Sequence, residues 1–444
     1  MQAPRLEQNT ATAAANDTRP AAPAAGGRAL QFFRRLGPGL ITGASDDDPS
    51  GIGTYSQAGA QLGFGIGWTM LLTYPLMAAI QEISARIGRT TGHGIAGNLC
   101  RHYPNWLLQV IVTLLFIANA INIGADLSAM ADATKLLIGG PSFLYVVAFG
   151  AVCVGGIVFT NYDRYVMVLK WMTLSLFAYV AALFAAKVHW AEALTGLFVP
   201  RITWSSEFFT TLVAILGTTI SPYLFFWQAS QEAEDVKANQ QRQPLVRAPR
   251  QARNAFERIR ADTLVGMAFS NLIALAIILT TAATLNQAGI TSVATSAQAA
   301  EALKPVAGEF AFILFALGIV ATGLLAIPVL AGSAAYAIGE ACKWPIGLSR
   351  PPGKAVAFYS TLTAAAILGV AITLSPIDPI KALYWTAVIN GVVAVPVMTV
   401  MMLMTVQRRV MGKFTITGWL QWLGWTSTLA MAACVVGMAV SWFS

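Results

Sequence analysis

The chain has 444 residues, of which 56% are hydrophobic and only 11% charged, with a formal net charge of +8. Soluble domains carry about a quarter charged residues, so this composition excludes an ordinary soluble domain and points to an all-α polytopic membrane protein embedded in a lipid bilayer. The basic residues are spread over several short segments and form no continuous face, which speaks against nucleic acid as a partner.

Residues 1–35 are Ala, Pro and polar residues without the apolar region of a cleaved signal peptide, and they read as a disordered tail. From there to residue 444 the pattern is one transmembrane domain. Apolar stretches of about 20 residues, punctuated by turns and charges, predict eleven spans. They lie near 37–61, 64–86, 106–134, 142–160, 165–186, 207–231, 262–286, 309–339, 354–375, 379–405 and 416–443. Of the 28 Lys and Arg, 23 fall on one side of this arrangement, and five (Lys135, Lys187, Arg201, Lys304 and Lys381) fall on the other. The positive side is cytoplasmic by the usual rule, so the N-terminus is expected inside and Ser444 outside. The composition suits a bacterial inner membrane. Trp68, Trp106, Trp190, Trp204, Trp344 and Trp442 fall near span ends, as interfacial anchors do.

The first span is interrupted by DDDPSG, residues 46–51, and the sixth by GTTISPY, residues 217–223. Each break lies roughly ten residues into its span, which at about 1.5 Å per residue is roughly 15 Å deep, near the bilayer midplane. The two broken spans are five apart in the chain, an odd offset, so they enter from opposite sides. This is the pattern of two inverted five-helix repeats, about 36–186 and 207–405, plus an extra helix near 416–443, with a binding site where the breaks meet. Pro75, Pro328 and Pro396 also fall inside spans and are read as ordinary kinks.

A carboxylate at membrane depth costs about 2.5–3.5 kcal/mol on insertion scales and needs a partner or a watery path. Beside the free carbonyls of unwound backbone it makes a nest of hard oxygens suited to a cation. The second break offers further oxygens on Thr218, Thr219, Ser221 and Tyr223. Neither break contains Cys, Met or His, so soft or imidazole ligation is not supported. His93, His102 and His189 are expected in solvated loops, and Cys100, Cys153, Cys342 and Cys434 are too scattered for a disulfide framework or thiolate site. Asn119, Asn122 and Asp126 share one face of the third span. They are candidates either for helix-to-helix contacts or, Asp126 above all, for function, and Asn390 in the tenth span is a further candidate. Glu82 and Arg86 read as a structural pair. The segment from about 233 to 260, with seven Lys or Arg, is expected to be a solvated basic loop.

The segment GPGLITGASDDDPSG, followed by an SPY break in the sixth span, resembles the NRAMP family of divalent metal transporters. The likeness runs through most of the eleven spans and implies a LeuT-type inverted-repeat fold. It also implies that Asp48 is the metal-binding carboxylate, that Ser45 and Thr218 offer backbone carbonyls, and that Gly51 and Ser221 stand at the family's Asn and Met ligand positions. Tyr223 replaces a family His, the second His of that span falls on Gln228, and an acidic pair of the third span aligns with Ile123 and Asp126. Loss of the thioether and amide ligands resembles the NRAMP-related magnesium-transporter branch. The resemblance thus implies transport of Mg²⁺, and also Mn²⁺, through one direct carboxylate, with a depleted proton route. Asp46 and Asp47 would line the cytoplasmic side of the site or hold its waters. The metal is then substrate and no cofactor is implied, nor an obligate protein partner. The competing readings are a proton-coupled Mn²⁺/Fe²⁺ transporter, a carrier of a cationic organic solute on the same fold, and a channel. An embedded enzyme is disfavoured because no nucleophile–base pair lies at membrane depth.

Overall fold

A computed structural model of the chain describes residues 42–43, 45–159, 176–186, 188–239, 241–375 and 377–443. The chain divides at Leu36 and Gly37, and all described residues belong to the second unit. The expected disordered tail, 1–35, therefore lies outside the described residues. No strand occurs among the described residues, and the elements are helices joined by short turns.

The helices that carry the fold are α1 (Pro49–Leu62), α2 (Trp68–Thr91), α3 (Ile95–His102), α4 (Asn105–Ile138), α5 (Ser142–Phe159), α6 (Phe177–Ala185) and α7 (Trp190–Phe198). They continue as α8 (Ser206–Thr219), α9 (Pro222–Ala238), α10 (Ala252–Thr281), α11 (Ser296–Glu301), α12 (Lys304–Ala307), α13 (Ala311–Ala341), α14 (Val356–Ile372), α15 (Pro379–Thr405), α16 (Arg408–Met411) and α17 (Trp419–Phe443). Every predicted span has a described helix, although of the fifth only α6 is described. Among the described residues seven segments are long and apolar enough to cross a membrane, and α1 with α2 forms a further apolar pair bent by 112°.

The long third-span helix α4 is the hub. It packs against α13, α14 and α15, while α8 lies along α15, α9 along α2, and α10 along α1 and α2. The outer surface keeps Trp106, Trp190, Trp204, Trp344 and Trp442 exposed at helix ends or in the adjoining turns, where an interfacial indole belongs.

Both breaks stand where the sequence put them. Asp48 caps the N-terminus of α1 and Pro49 opens it, while α8 ends at Thr219 and Pro222 opens α9. Pro75, Pro328 and Pro396, by contrast, sit inside uninterrupted α2, α13 and α15.

Two expectations are corrected. The segment 233–260 is mostly helical, because α9 continues to Ala238 and α10 begins at Ala252. Its remaining linker is held to the end of α2 through Val246 N–H to the Thr90 carbonyl at 3.2 Å. Buried Leu245, with Ala252 and Ala255, forms a small apolar cluster against Phe256 and Phe414. A basic composition concealed a packed element. Likewise His102 ends the amphipathic helix α3 instead of lying in a loop. Glu82 and Arg86 do pair, and the guanidinium also lies 4.5 Å over the Phe256 ring.

Candidate metal centre

Asp48 is 1% exposed, and its two oxygens serve different elements. Oδ1 does the work of an N-cap. It accepts from the Gly51 N–H at 2.8 Å and the Ser50 hydroxyl at 2.6 Å, and the positive end of α1 favours its charge. Oδ2 faces away from the helix, accepting from Asn122 Nδ2 at 3.1 Å and from the Tyr223 hydroxyl at 3.3 Å. The same Tyr223 hydroxyl lies 2.9 Å from the Ser45 carbonyl. A phenol has one proton, so it satisfies only one of these acceptors at a time. Ser45 O, Asp48 Oδ2 and Tyr223 Oη thus form an oxygen-rich corner in which the phenolic proton is shared and Asn122 supplies Oδ2 with a second donor.

The two breaks meet here. A Cβ placed on Gly51 would lie 3.2 Å from Thr218 Oγ1 and 3.3 Å from the Asp46 carbonyl, so the glycine is what lets α1 approach the end of α8. Ser221 turns its hydroxyl back along α8, donating towards the Gly217 carbonyl at 2.7 Å and the Thr218 carbonyl at 2.8 Å. It thereby closes carbonyls that the broken helix would otherwise leave open.

The neighbouring acids go elsewhere. Asp46 and Asp47 are buried, and both accept from the Ser270 hydroxyl of α10, at 2.5 and 3.2 Å. Asp46 Oδ1 and Asp47 Oδ2 have no hydrogen-bond partner among the described residues. Asp126, also buried, lies near Asp48 and the Ser50 amide but without a hydrogen bond close enough to satisfy either oxygen. Of the polar face of α4, Asn122 reaches Asp48, whereas Asn119 bonds the Leu330 carbonyl and Ser333 of α13 and serves as packing. Gln228 accepts from Thr42 and, at 3.4 Å, from Gln81 Nε2. Asn390 is buried, and its amide nitrogen finds no hydrogen-bond acceptor among the described residues.

Ser270 and Gln81 were not singled out from the sequence. Their signal was a lone polar residue in an apolar span, which is too common to select them. No group of three or more His, Cys, Asp and Glu side chains that could hold a metal occurs among the described residues. A cation at the breaks would rely on Asp48 with carbonyl, amide and hydroxyl oxygens, a hard set that fits a divalent ion keeping some of its water. His189, far along the chain from both breaks, contacts Gln287 at 2.7 Å in an exposed position.

Residues 39–441 match the model of the natural resistance-associated macrophage protein-like (Nramp) family. The chain belongs to the Nramp family. It is 24% identical over 411 residues to the divalent metal cation transporter MntH of Klebsiella pneumoniae, covering 91% of this chain and 92% of that one. In fold it is similar to the manganese transporter of Eremococcus coleocola, with a TM-score of 0.70 at 16% identity over 95% of this chain and 90% of the other. It is similar also to MhsT in complex with L-phenylalanine, with a TM-score of 0.60 at 11% identity over 91% of this chain and 98% of that one. The fold is thus the LeuT-type inverted repeat with an additional helix, and these Nramp relatives are named as transporters, not enzymes.

Proposed function

We propose that this Nramp member carries divalent metal cations across a bacterial inner membrane by alternating access, with Mg²⁺ preferred and Mn²⁺ also accepted. The observation that supports this most is the corner formed by Ser45 O, Asp48 Oδ2 and Tyr223 Oη, where three oxygens converge with one phenolic proton. A cation entering there takes the place of the one phenolic proton that the Ser45 carbonyl and Asp48 share. Oδ1 stays engaged with the N-terminus of α1, so binding charges one oxygen without uncapping the helix.

In this reading Asp48 is the direct carboxylate, and the carbonyls of Ser45 and Thr218 are backbone ligands. Gly51 leaves space for ion-bound water, and Ser221 contributes its hydroxyl oxygen once the hydroxyl turns from its own helix. Asn122 and Tyr223 support the site through hydrogen bonds to Asp48, and Gln228, Asp126 and Asn390 are taken as further supporting polar groups. Asp46, Asp47 and Ser270 form the inward side of the path. Two repeats, about 36–186 and 207–405, rock against each other, with the N-terminus in the cytoplasm and the C-terminus outside.

Uptake into proteoliposomes tests this. Saturable Mg²⁺ entry without acidification, lost in Asp48→Ala, is the expected outcome. A second reading, proton-coupled transport of Mn²⁺ or Fe²⁺, is favoured by buried Asp126, a carboxylate without a close hydrogen bond that suits a proton carrier. Mn²⁺ entry with lumenal acidification, and none of Mg²⁺, would select that reading and discard the first.

A further inference from the structure

At the end of the bundle where α2 stops and α10 starts, a cavity of about 480 Å³ is lined by four arginines, Arg89, Arg242, Arg250 and Arg258. Two are neutralised: Arg258 donates to Glu232 at 2.5 Å, and Arg242 pairs with Asp235. The other two make no ion pair among the described residues, although Glu232 and Asp235 lie near enough to Arg89 to act on its charge. Arg89 is 3% exposed, and its guanidinium donates to the Gln243 carbonyl at 2.6 Å and Gln251 Oε1 at 2.8 Å, both neutral acceptors. Arg250 makes no ion pair among the described residues. Four arginines against two carboxylates leave two positive charges facing one cavity, and a buried guanidinium bonded only to neutral groups is costly until an anion arrives. Asn254 on the same wall adds an amide donor, whereas the Gln251 amide already donates to the Gln241 carbonyl at 3.0 Å.

We propose that this cavity binds a phosphate-bearing anion. Two unpaired guanidiniums match the two charges of a phosphate monoester and present planar donor pairs to its oxygens. The cavity holds more than one phosphate, which suits a nucleotide or a lipid headgroup. Its walls come from the end of α2, the linker that follows α9 and the start of α10, so an occupant ties that linker to both helices.

The test uses the full-length protein in neutral detergent with divalent ions chelated, titrated with pyrophosphate and with ATP. In parallel, its melting temperature is compared in nanodiscs of phosphatidylcholine alone and of phosphatidylcholine with phosphatidylglycerol. Saturable binding of a soluble phosphate that weakens about tenfold in Arg250→Gln, and weakens with added salt, assigns a soluble anion. A rise in melting temperature with phosphatidylglycerol that Arg250→Gln abolishes, without soluble binding, assigns the lipid headgroup. Arg250 is exposed, so its substitution leaves packing intact, and Arg89→Gln should weaken binding further. Failure of both probes, or binding that neither substitution alters, overturns the proposal. None of these readouts depends on which ion is transported.

Discussion

Three consecutive aspartates with nearly identical burial have different fates, and the difference is geometric. Asp48 sits at the N-cap of α1, so one of its oxygens is occupied by the helix and the other is presented to α4 and α9. Asp46 and Asp47 precede the cap and turn to α10, where a single hydroxyl serves both. At the same scale Gly51 decides how close the breaks approach. Gly51→Ala gains about 0.5–1 kcal/mol of helix propensity, but its Cβ presses Thr218 Oγ1, the Asp46 carbonyl and the Tyr55 ring at 3.2–3.3 Å. Overpacking of this kind costs about 1–3 kcal/mol. The net expectation is a loss of about 1 kcal/mol in thermal unfolding together with reduced cation uptake. An unchanged melting temperature with full uptake would mean that the breaks do not touch at this residue.

At the scale of elements, a proline breaks a span only where something else takes over the helix ends. Pro49 follows a carboxylate cap and Pro222 follows a serine that bonds the last carbonyls of α8, whereas Pro75, Pro328 and Pro396 merely lie within continuous helices. The α8 half-span is held against α15 by backbone proximity. A Cβ on Gly217 would lie 2.0 Å from the Ala387 carbonyl and 2.5 Å from the Gly391 nitrogen. Backbone cannot swing aside as a side chain can, so Gly217→Ala is expected to cost about 3 kcal/mol and to lower expression of folded protein. Size-exclusion chromatography and thermal unfolding check this, and a stable variant would show that the helices have room to separate.

The turn between α2 and α3 carries a pH response. The His93 imidazole is pushed down to about 4, first by burial and then by the nearby cations Arg101, Lys237 and Arg247 and by His102. The folded chain keeps it neutral, while the unfolded chain takes up a proton below about 6.5. The stability it contributes is therefore complete above pH 6.5 and is lost as the pH falls towards 4. Melting temperatures at pH 7.5 and 5.0 should drop less in His93→Gln than in the parent, and an equal drop would remove His93 as the cause.

For the whole molecule, the orientation is open to a direct measurement. Cys342 is exposed at the end of α13, whereas Cys100 and Cys434 are half-buried and Cys153 is buried. In a chain whose other cysteines are changed to serine, an impermeant maleimide should label Cys342 from the cytoplasmic side of membrane vesicles only. Labelling from the outer side alone would invert the proposed topology.

The sequence by itself determined the spans and both breaks, because transfer of about 20 apolar residues into lipid is a local property and a proline beside a capping residue ends a helix locally. It also marked the Asp46–Asp48 carboxylates as a candidate site, since charge at membrane depth is legible without coordinates, and it was the family resemblance that singled out Asp48 among the three. Only the tertiary structure decided which neighbours matter. That Asn122 serves Asp48 while Asn119 serves α13, that Ser270 gathers two acids, and that an apparently solvated basic segment is packed around Leu245 all depend on contacts between residues far apart in the chain. Polarity in an apolar span announces that a partner exists. Which partner it is depends on how the helices pack.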